Sequence, residues 1–163
     1  MEAPTILGLS FNTRNQGLAV LKSNLLVDYS SKLHKDKWTL KKREMILTSL
    51  ASCIEFHNIN KITLSIPHPH HQTKEFTELK TAIIALAQMC HIEVITYNTK
   101  DLFRFILDSK KKNAKAFMKQ LVLLYPELVP HYEKELRNKN KYYYKMFEAI
   151  GVATLYSRKI EKL

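Results

Sequence analysis

TILGLSFNTRNQGLAVL, residues 5–21, is the stretch of sequence that decides the fold. Apolar residues lie on both sides of the polar run Asn12-Thr13-Arg14-Asn15, which is rich in residues that favour turns. Two apolar segments joined by such a turn predict an antiparallel hairpin. The segment NLLVDYSSKL, residues 24–33, predicts a third strand, so the chain opens with a three-stranded meander.

The rest of the chain alternates helical and strand patterns. A helical pattern covers residues 38–57, a short apolar strand covers 61–66, and a second helical pattern covers 73–90. A fifth strand is predicted at residues 92–96, and only helical patterns follow it. Strands that are each followed by helices favour parallel pairing, so the sequence predicts an α/β fold with a mixed five-stranded sheet, built as a single domain over residues 1–163.

Charge is the clearest compositional signal. The chain of 163 residues contains 26 Lys and Arg against 15 Asp and Glu, which gives a formal net charge of +11. A positive surplus of that size favours a polyanionic partner over an acidic protein or a neutral metabolite. The alternative is a basic protein with no specific polyanion.

Signals for secretion, membrane insertion and disulfides are missing from the sequence. The N-terminal segment MEAPTILG has no basic region followed by an apolar stretch, and no run of about 18 apolar residues occurs. We therefore expect a cytoplasmic protein without a membrane partner. Cys53 and Cys90 lie in apolar helical patterns, which predicts two buried thiols.

Four segments, in this order, carry a family resemblance. They are ILGLSFNTRNQGLAVL at the start, YNTKDLFRFIL at residues 97–107, KKKNAKAFMKQLVLLYPEL at 110–128 and FEAIGVATLY at 147–156. Together they resemble RuvC-like Holliday-junction resolvases of the ribonuclease-H-like superfamily. The resemblance covers most of the chain and implies the ribonuclease-H-like (RuvC-like) form of the mixed sheet.

The resemblance also implies a site for metal-dependent DNA cleavage, from which this chain departs. In the family, carboxylates converge so that two divalent ions lie about 3.5–4 Å apart beside the scissile phosphate. On this sequence those positions fall at Ser10, at Ser65 or Ile66, at Lys145 and at Glu148. Only Glu148 is a carboxylate, and a lysine ammonium repels a cation. We therefore expect no Mg²⁺ or Mn²⁺ cofactor and a catalytically inactive relative of crossover-junction endodeoxyribonucleases.

Lys145 and Glu148 are three residues apart on a predicted helix and therefore share one face. In one interpretation, Lys145 takes the place of a metal and neutralises Glu148. In the other, the two form an ordinary surface salt bridge. Ala149, Gly151 and Ala153 are small enough to let this helix approach the sheet closely.

A histidine cluster leaves another metal site open. PHPHHQ, residues 67–72, follows the fourth predicted strand, where ligands gather at the carboxyl ends of α/β sheets. His68 and His70, with Glu148, are the candidate ligands for a transition metal. The prolines favour an extended loop, however, and no Cys or Asp completes a shell. A polar loop is the preferred interpretation.

Basic residues form the predicted nucleic-acid surface. Residues 109–119 contain five lysines and no acid, and the resemblance implies that this segment lies near a bound junction. Lysines at a helix N-terminus oppose the macrodipole, so they need another role. The candidate phosphate contacts are Arg14, Lys110, Lys111, Lys112, Lys115, Lys119, Arg137, Lys139 and Lys141.

A further basic cluster surrounds the single tryptophan, Trp38. Aromatic residues interleaved with cations can stack on bases while the charges follow the phosphates. The cluster comprises Lys32, Lys35, Lys37, Lys41, Lys42 and Arg43.

The sequence thus predicts a nucleic-acid-binding protein whose partner is duplex or branched DNA and which does not cleave it. Two alternatives stay open. One is an active metal-dependent nuclease that uses Mg²⁺ or Mn²⁺ with an unusual ligand set including Glu148 and His68 or His70. The other is a protein-interaction scaffold. Because resolvases of the family act as dimers, the resemblance implies a homodimer, although no sequence patch marks its interface.

Overall fold

The computed structural model describes residues 3–35, 37–105 and 112–161. One sheet has the strand order β3-β2-β1-β4-β5, in which β1 to β3 are antiparallel and β4 and β5 run parallel to β1. This is the predicted mixed sheet. The strands are β1 (Thr5–Phe11), β2 (Asn15–Lys22), β3 (Leu25–Leu33), β4 (Lys61–Ile66) and β5 (Glu93–Asn98).

The helices begin and end close to the predicted positions. Thr39 and Thr73 cap the first two helices, since their side-chain oxygens accept hydrogen bonds from the backbone N–H groups of Lys42 and Phe76. Both helices therefore start slightly later than predicted. In the described ranges the helices are α1 (Leu40–His57), α2 (Lys74–Met89), α3 (Thr99–Leu102), α4 (Ala114–Leu124), α5 (Val129–Arg137) and α6 (Tyr144–Glu161).

The sheet separates two apolar layers. Leu7 and Leu9 of β1 point to one face and pack with α1 and α2. The opposite face packs on α6, where Ala19 of β2 contacts a buried cluster that includes Phe147. Because side chains alternate along a strand, Ser10 lies on the face that α6 covers.

Two glycines let α6 lie directly on the sheet. A Cβ atom on Gly8 would lie 2.1 Å from the carbonyl oxygen of Ala149, and one on Gly17 would lie 2.0 Å from that of Lys145. No side chain fits at either position. The close approach predicted for this helix is therefore confirmed, with β1 and β2 supplying the glycines.

The third glycine serves a different contact. A Cβ atom on Gly151 would lie 2.7 Å from the Phe117 ring of α4. Gly151 thus faces α4 and not the sheet, which corrects the expectation that it would help α6 approach the strands. Ala153 does face the sheet, because its Cβ would lie 3.0 Å from a Cβ on Gly8.

The two cysteines differ in exposure. Cys53 is half-buried and packs against the layer between the sheet and α1, whereas Cys90 is exposed. Cys90 is the C-cap residue that follows α2, so the prediction of a buried thiol is wrong there. In the described part of the chain, no helix has both the length and the apolar character that a membrane span requires.

We predict that Gly8→Ala and Gly17→Ala each lower the free energy of unfolding by about 3 kcal/mol or more, because backbone atoms of α6 would have to move. Gly151→Ala is the control, since its new methyl group meets only side-chain atoms of Phe117 and Leu102. Urea denaturation followed by circular dichroism measures the three values. Equal effects of all three changes would contradict this account of α6 packing.

Candidate functional site

A row of residues crosses the sheet beneath the first turns of α6. Gly17 of β2 pairs with Ser10 of β1, and Ser65 of β4 pairs with Tyr97 of β5. The last paired residues of the parallel strands β1 and β4 are Leu9 and Leu64. Ser10 and Ser65 each come one residue later, so the two serines are neighbours on one face. Both serines are buried, at 1% and 4% exposure.

The alternation of β4 decides which of its residues belongs to this row. Ile62 and Leu64 belong to the core between the sheet and α1–α2, and Ile66 packs against that same core. Ser65 therefore points to the α6 face. Of the two sequence candidates, Ser65 shares a face with Ser10 and Ile66 does not.

Lys145 and Glu148 of α6 face this row and form an ion pair in which Glu148 is buried and Lys145 is partly buried. Lys145 Nζ lies 2.9 Å from Glu148 Oε1, and the two side chains are 19% and 7% exposed. The Ser10 hydroxyl donates a hydrogen bond to the same carboxylate oxygen at 3.2 Å. The predicted pair is present, and it is not a surface salt bridge. We call Ser10, Ser65, Lys145 and Glu148 the candidate site.

Two phenols adjoin the candidate site without adding negative charge to it. Burial raises the pKa of Tyr144, and the nearby Glu148 carboxylate raises it further. Burial also raises the pKa of Tyr97, whose hydroxyl is buried and has no hydrogen-bond partner among the described residues. Both phenols therefore stay neutral at physiological pH.

The residues present do not fit a divalent-ion site. Mg²⁺ and Mn²⁺ prefer several oxygen ligands with high negative charge. The candidate site offers two serine hydroxyls and one carboxylate, and the Oε1 atom of that carboxylate already contacts the Lys145 ammonium. Among the described residues, no group of three or more His, Cys, Asp or Glu could hold a metal.

Glu135 of α5 holds the start of α6, a role that no sequence pattern indicated. Its Oε1 atom accepts hydrogen bonds from the backbone N–H groups of Tyr142 and Tyr143, at 2.9 and 3.1 Å. The Ser31 hydroxyl donates to the Tyr142 carbonyl, and the Tyr142 hydroxyl donates to the Ser31 carbonyl at 3.2 Å. These bonds fix the chain just before Lys145. A single Glu in an amphipathic helix gives no signal for this role, since its partners are backbone groups.

His70 and His71 lie in a short 3₁₀ turn, Pro69–His71, which His68 caps, so the segment is not a fully extended loop. The exposed rings of His68 and His70 stack with centroids 4.7 Å apart. His68 Nδ1 already accepts a hydrogen bond from the backbone N–H of His70 at 3.2 Å. In the part of the chain that the structure describes, these histidines and Glu148 do not form a metal-ligating group.

Arg14 and Lys141 are far apart in sequence, but the structure brings them together. Both line a cavity of about 500 Å³ that also includes Asn12 and Tyr142. The Asn15 side chain donates to the Lys141 carbonyl at 3.4 Å, which joins the hairpin turn to the segment before α6. Both cations are exposed, and the Lys141 ammonium also lies 5.0 Å from the centroid of the Tyr144 ring.

The lysines around α4 divide into two groups. Lys115 and Lys119 are exposed and four residues apart on α4, so they share one face. Lys112 is exposed and precedes the N-cap Asn113, so it lies at the N-terminal end of the helix.

The remaining candidates occupy other places. Arg137 and Lys139 are exposed at and just beyond the end of α5. Lys110 and Lys111 lie outside the described residues.

The architecture defines a class: the chain has the RuvC-like form of the ribonuclease-H-like fold. It is similar to Thermus thermophilus RuvC in complex with Holliday junction substrate, with a TM-score of 0.72, 10% identity and 96% coverage of both chains. The yeast mitochondrial Holliday junction resolvase gives a TM-score of 0.70 at 13% identity, with 96% of this chain and 79% of that chain covered. The fowlpox virus resolvase gives 0.51 at 14% identity, with coverage of 96% and 98%.

No family model and no curated protein matches the sequence. At identities of 10–14%, the structural similarity establishes the fold. The resemblance to RuvC-like resolvases that the sequence motifs indicated is confirmed at that level.

We predict that Lys145→Met lowers the free energy of unfolding by about 3 kcal/mol, because it leaves the buried Glu148 carboxylate without its partner charge. The double variant Lys145→Met, Glu148→Gln removes both charges and keeps an acceptor for Ser10, so it should be more stable than the single variant. Urea denaturation at neutral pH measures both. A loss below about 1 kcal/mol in the single variant, typical of exposed pairs, would contradict the buried pair.

Proposed function

We propose that this protein binds branched or duplex DNA with the fold of a Holliday junction resolvase and does not cleave it. The observation that carries the proposal is the contact of Lys145 Nζ with Glu148 Oε1 at 2.9 Å, beneath which the strands supply serines. The single carboxylate of the candidate site, Glu148, is thus paired with an ammonium group.

Two observations support DNA as the partner. Of the similar structures, those of Thermus thermophilus RuvC and the fowlpox virus resolvase are complexes with Holliday junction DNA. The net charge of +11 favours a polyanion independently of the fold. The scaffold alternative requires neither feature and is weaker for that reason.

The absence of cleavage follows from the chemistry of the candidate site. Two-metal hydrolysis needs ions on both sides of the scissile phosphate, one to activate water and one to stabilise the leaving oxygen. One carboxylate paired with an ammonium cannot hold two such ions. The active-nuclease alternative would need ligands from the His68–His71 turn, which the structure does not combine with Glu148.

A homodimer and a cytoplasmic location remain predictions from the resemblance and the sequence. Light scattering after size-exclusion chromatography measures the oligomeric state. Junction-bound and free protein should be compared, because the two-fold symmetry of a four-way junction suits a two-fold protein.

We predict that the unmodified protein binds labelled four-way junctions but leaves junction, duplex and RNA–DNA hybrid uncut in Mg²⁺ or Mn²⁺. Calorimetry should show no millimolar-range binding of either ion. Ser10→Asp alone should not restore ion binding, because Lys145 remains. Ser10→Asp, Ser65→Glu and Lys145→Asp together rebuild four carboxylates with Glu148 and should recover weak ion binding.

Two results would overturn this proposal in different ways. Metal-dependent cutting by the unmodified protein that Glu148→Gln abolishes would establish an active nuclease. Absence of DNA binding even at low salt would leave only the scaffold function.

We predict that Arg14→Ala with Lys141→Ala weakens junction binding to a similar extent across DNA sequences, because phosphate contacts carry no sequence information. The slope of log affinity against log salt should flatten by up to about two if both cations contact phosphates. Lys22→Ala with Lys159→Ala is the matched control, with the same change in net charge at other exposed positions. Equal losses in both double variants would show that the cavity near the hairpin turn is not a contact surface.

A further inference from the structure

A second basic surface lies on the opposite face of the sheet from the candidate site. A cavity of about 870 Å³ opens between the end of β3 and the start of α1. Its described lining residues include no acid. We call this surface the basic groove, and its cationic residues are Lys32, Lys35, Lys37, Lys41 and Lys42.

Strand alternation places the basic groove on the α1 face. Gln16 and Lys32 pair between β2 and β3, and both line the groove. Gly17, the next residue of β2, lies under α6 on the other face. The basic groove is therefore separate from Ser10, Lys145 and the rest of the candidate site.

One buried lysine holds the walls of the basic groove together. Lys42 is 9% exposed, and its Nζ atom donates to the backbone carbonyls of Thr13 and His34 at 3.4 Å each. These bonds join α1 to the hairpin turn and to the end of β3. The remaining lysines of the groove are exposed and surround the segments that Lys42 holds together.

The positive field in the groove acts on its histidine. The pKa of His34 is lowered by burial and by the charges of Lys42 and Lys32. His34 is therefore held neutral among cations, with its Nε2 atom 3.2 Å from Gln16 Oε1. An anion in the groove would meet the exposed side chains of Lys32, Lys35, Lys37 and Lys41.

The basic groove continues around the end of the sheet. His34, Lys35 and Lys37 also line a neighbouring cavity of about 430 Å³ with Arg14, Trp38 and one acid, Glu75. Arg14 in turn lines the cavity that contains Lys141. Cations thus follow one continuous concave path from the groove, over the hairpin turn, to the segment that precedes α6.

We propose that the basic groove binds the phosphate backbone of a nucleic-acid arm that extends from the α6 face over the hairpin turn. The inference rests on the proposed DNA-binding function and adds a second contact surface to it. An extended backbone fits better than a compact polyphosphate, because the cations continue through three adjoining cavities. A backbone that follows this path brings phosphates close to Lys35, Lys41 and Arg14 in succession.

The test compares two quadruple variants that change net charge equally. The groove variant replaces Lys32, Lys35, Lys37 and Lys41 with alanine and keeps Lys42, whose bonds are structural. The control variant replaces Lys22, Lys80, Lys134 and Lys159, which lie outside the basic groove and its adjoining cavities. Both are titrated with an immobile four-way junction with 20-base-pair arms at several salt concentrations.

Trp38 supplies a second readout, because it is the only tryptophan and is half-buried in the cavity beside the groove. We expect the groove variant to flatten the salt slope by about two to four and the control to change it much less. DNA at saturation should change Trp38 fluorescence in the unmodified protein and the control. The groove variant saturated at low salt should not show this change.

Each other result has a defined meaning. If the unmodified protein binds the junction and both variants lose affinity equally with the same Trp38 response, the groove proposal is wrong and the proposed function stands. If inorganic tripolyphosphate changes Trp38 fluorescence at micromolar concentration while the junction does not, the groove takes compact anions and the proposal is again wrong. If the unmodified protein binds no DNA at low salt, the proposed function fails, and this inference fails with it.

Discussion

The backbone of α6 touches the backbone of the sheet, and the arrangement of both faces depends on that contact. Gly8 and Gly17 leave no room for a Cβ atom beneath Ala149 and Lys145. A helix held at this distance presents its first turns to the row that contains Ser10 and Ser65. The ion pair of the candidate site is therefore a consequence of helix-to-sheet distance as much as of residue identity.

The candidate site places one buried carboxylate beside an ammonium group and a hydroxyl. Glu148 remains buried because Lys145 and Ser10 both bind its Oε1 atom. A buried carboxylate without such partners would destabilise the fold by several kcal/mol, on the order of 3–5. Lys145, whose charge repels a metal ion, thus compensates the charge of the buried Glu148 carboxylate. The two residues stabilise the candidate site as a pair.

Two of the basic surfaces adjoin the hairpin turn. Arg14 sits between the cavity with Lys141 on one side and the cavity with Lys35 and Trp38 on the other. The short polar turn that predicts the hairpin in the sequence also lines cavities that adjoin both faces of the sheet. Arg14, a residue of the turn, therefore also contributes to the basic surface.

The sequence by itself determined the strand order along the chain, the hairpin, the positions of α1 and α2 and the pairing of Lys145 with Glu148, because these depend on local periodicity and spacing. It also predicted Ser10 and Glu148 as site positions through a resemblance that the structure confirms at the level of the fold. It could not choose between Ser65 and Ile66, nor show that Gly151 faces α4, because both depend on which face packs against which layer. Only the tertiary structure brought Arg14 beside Lys141 and gave Glu135 its role at the start of α6, since partners distant in sequence leave no local pattern.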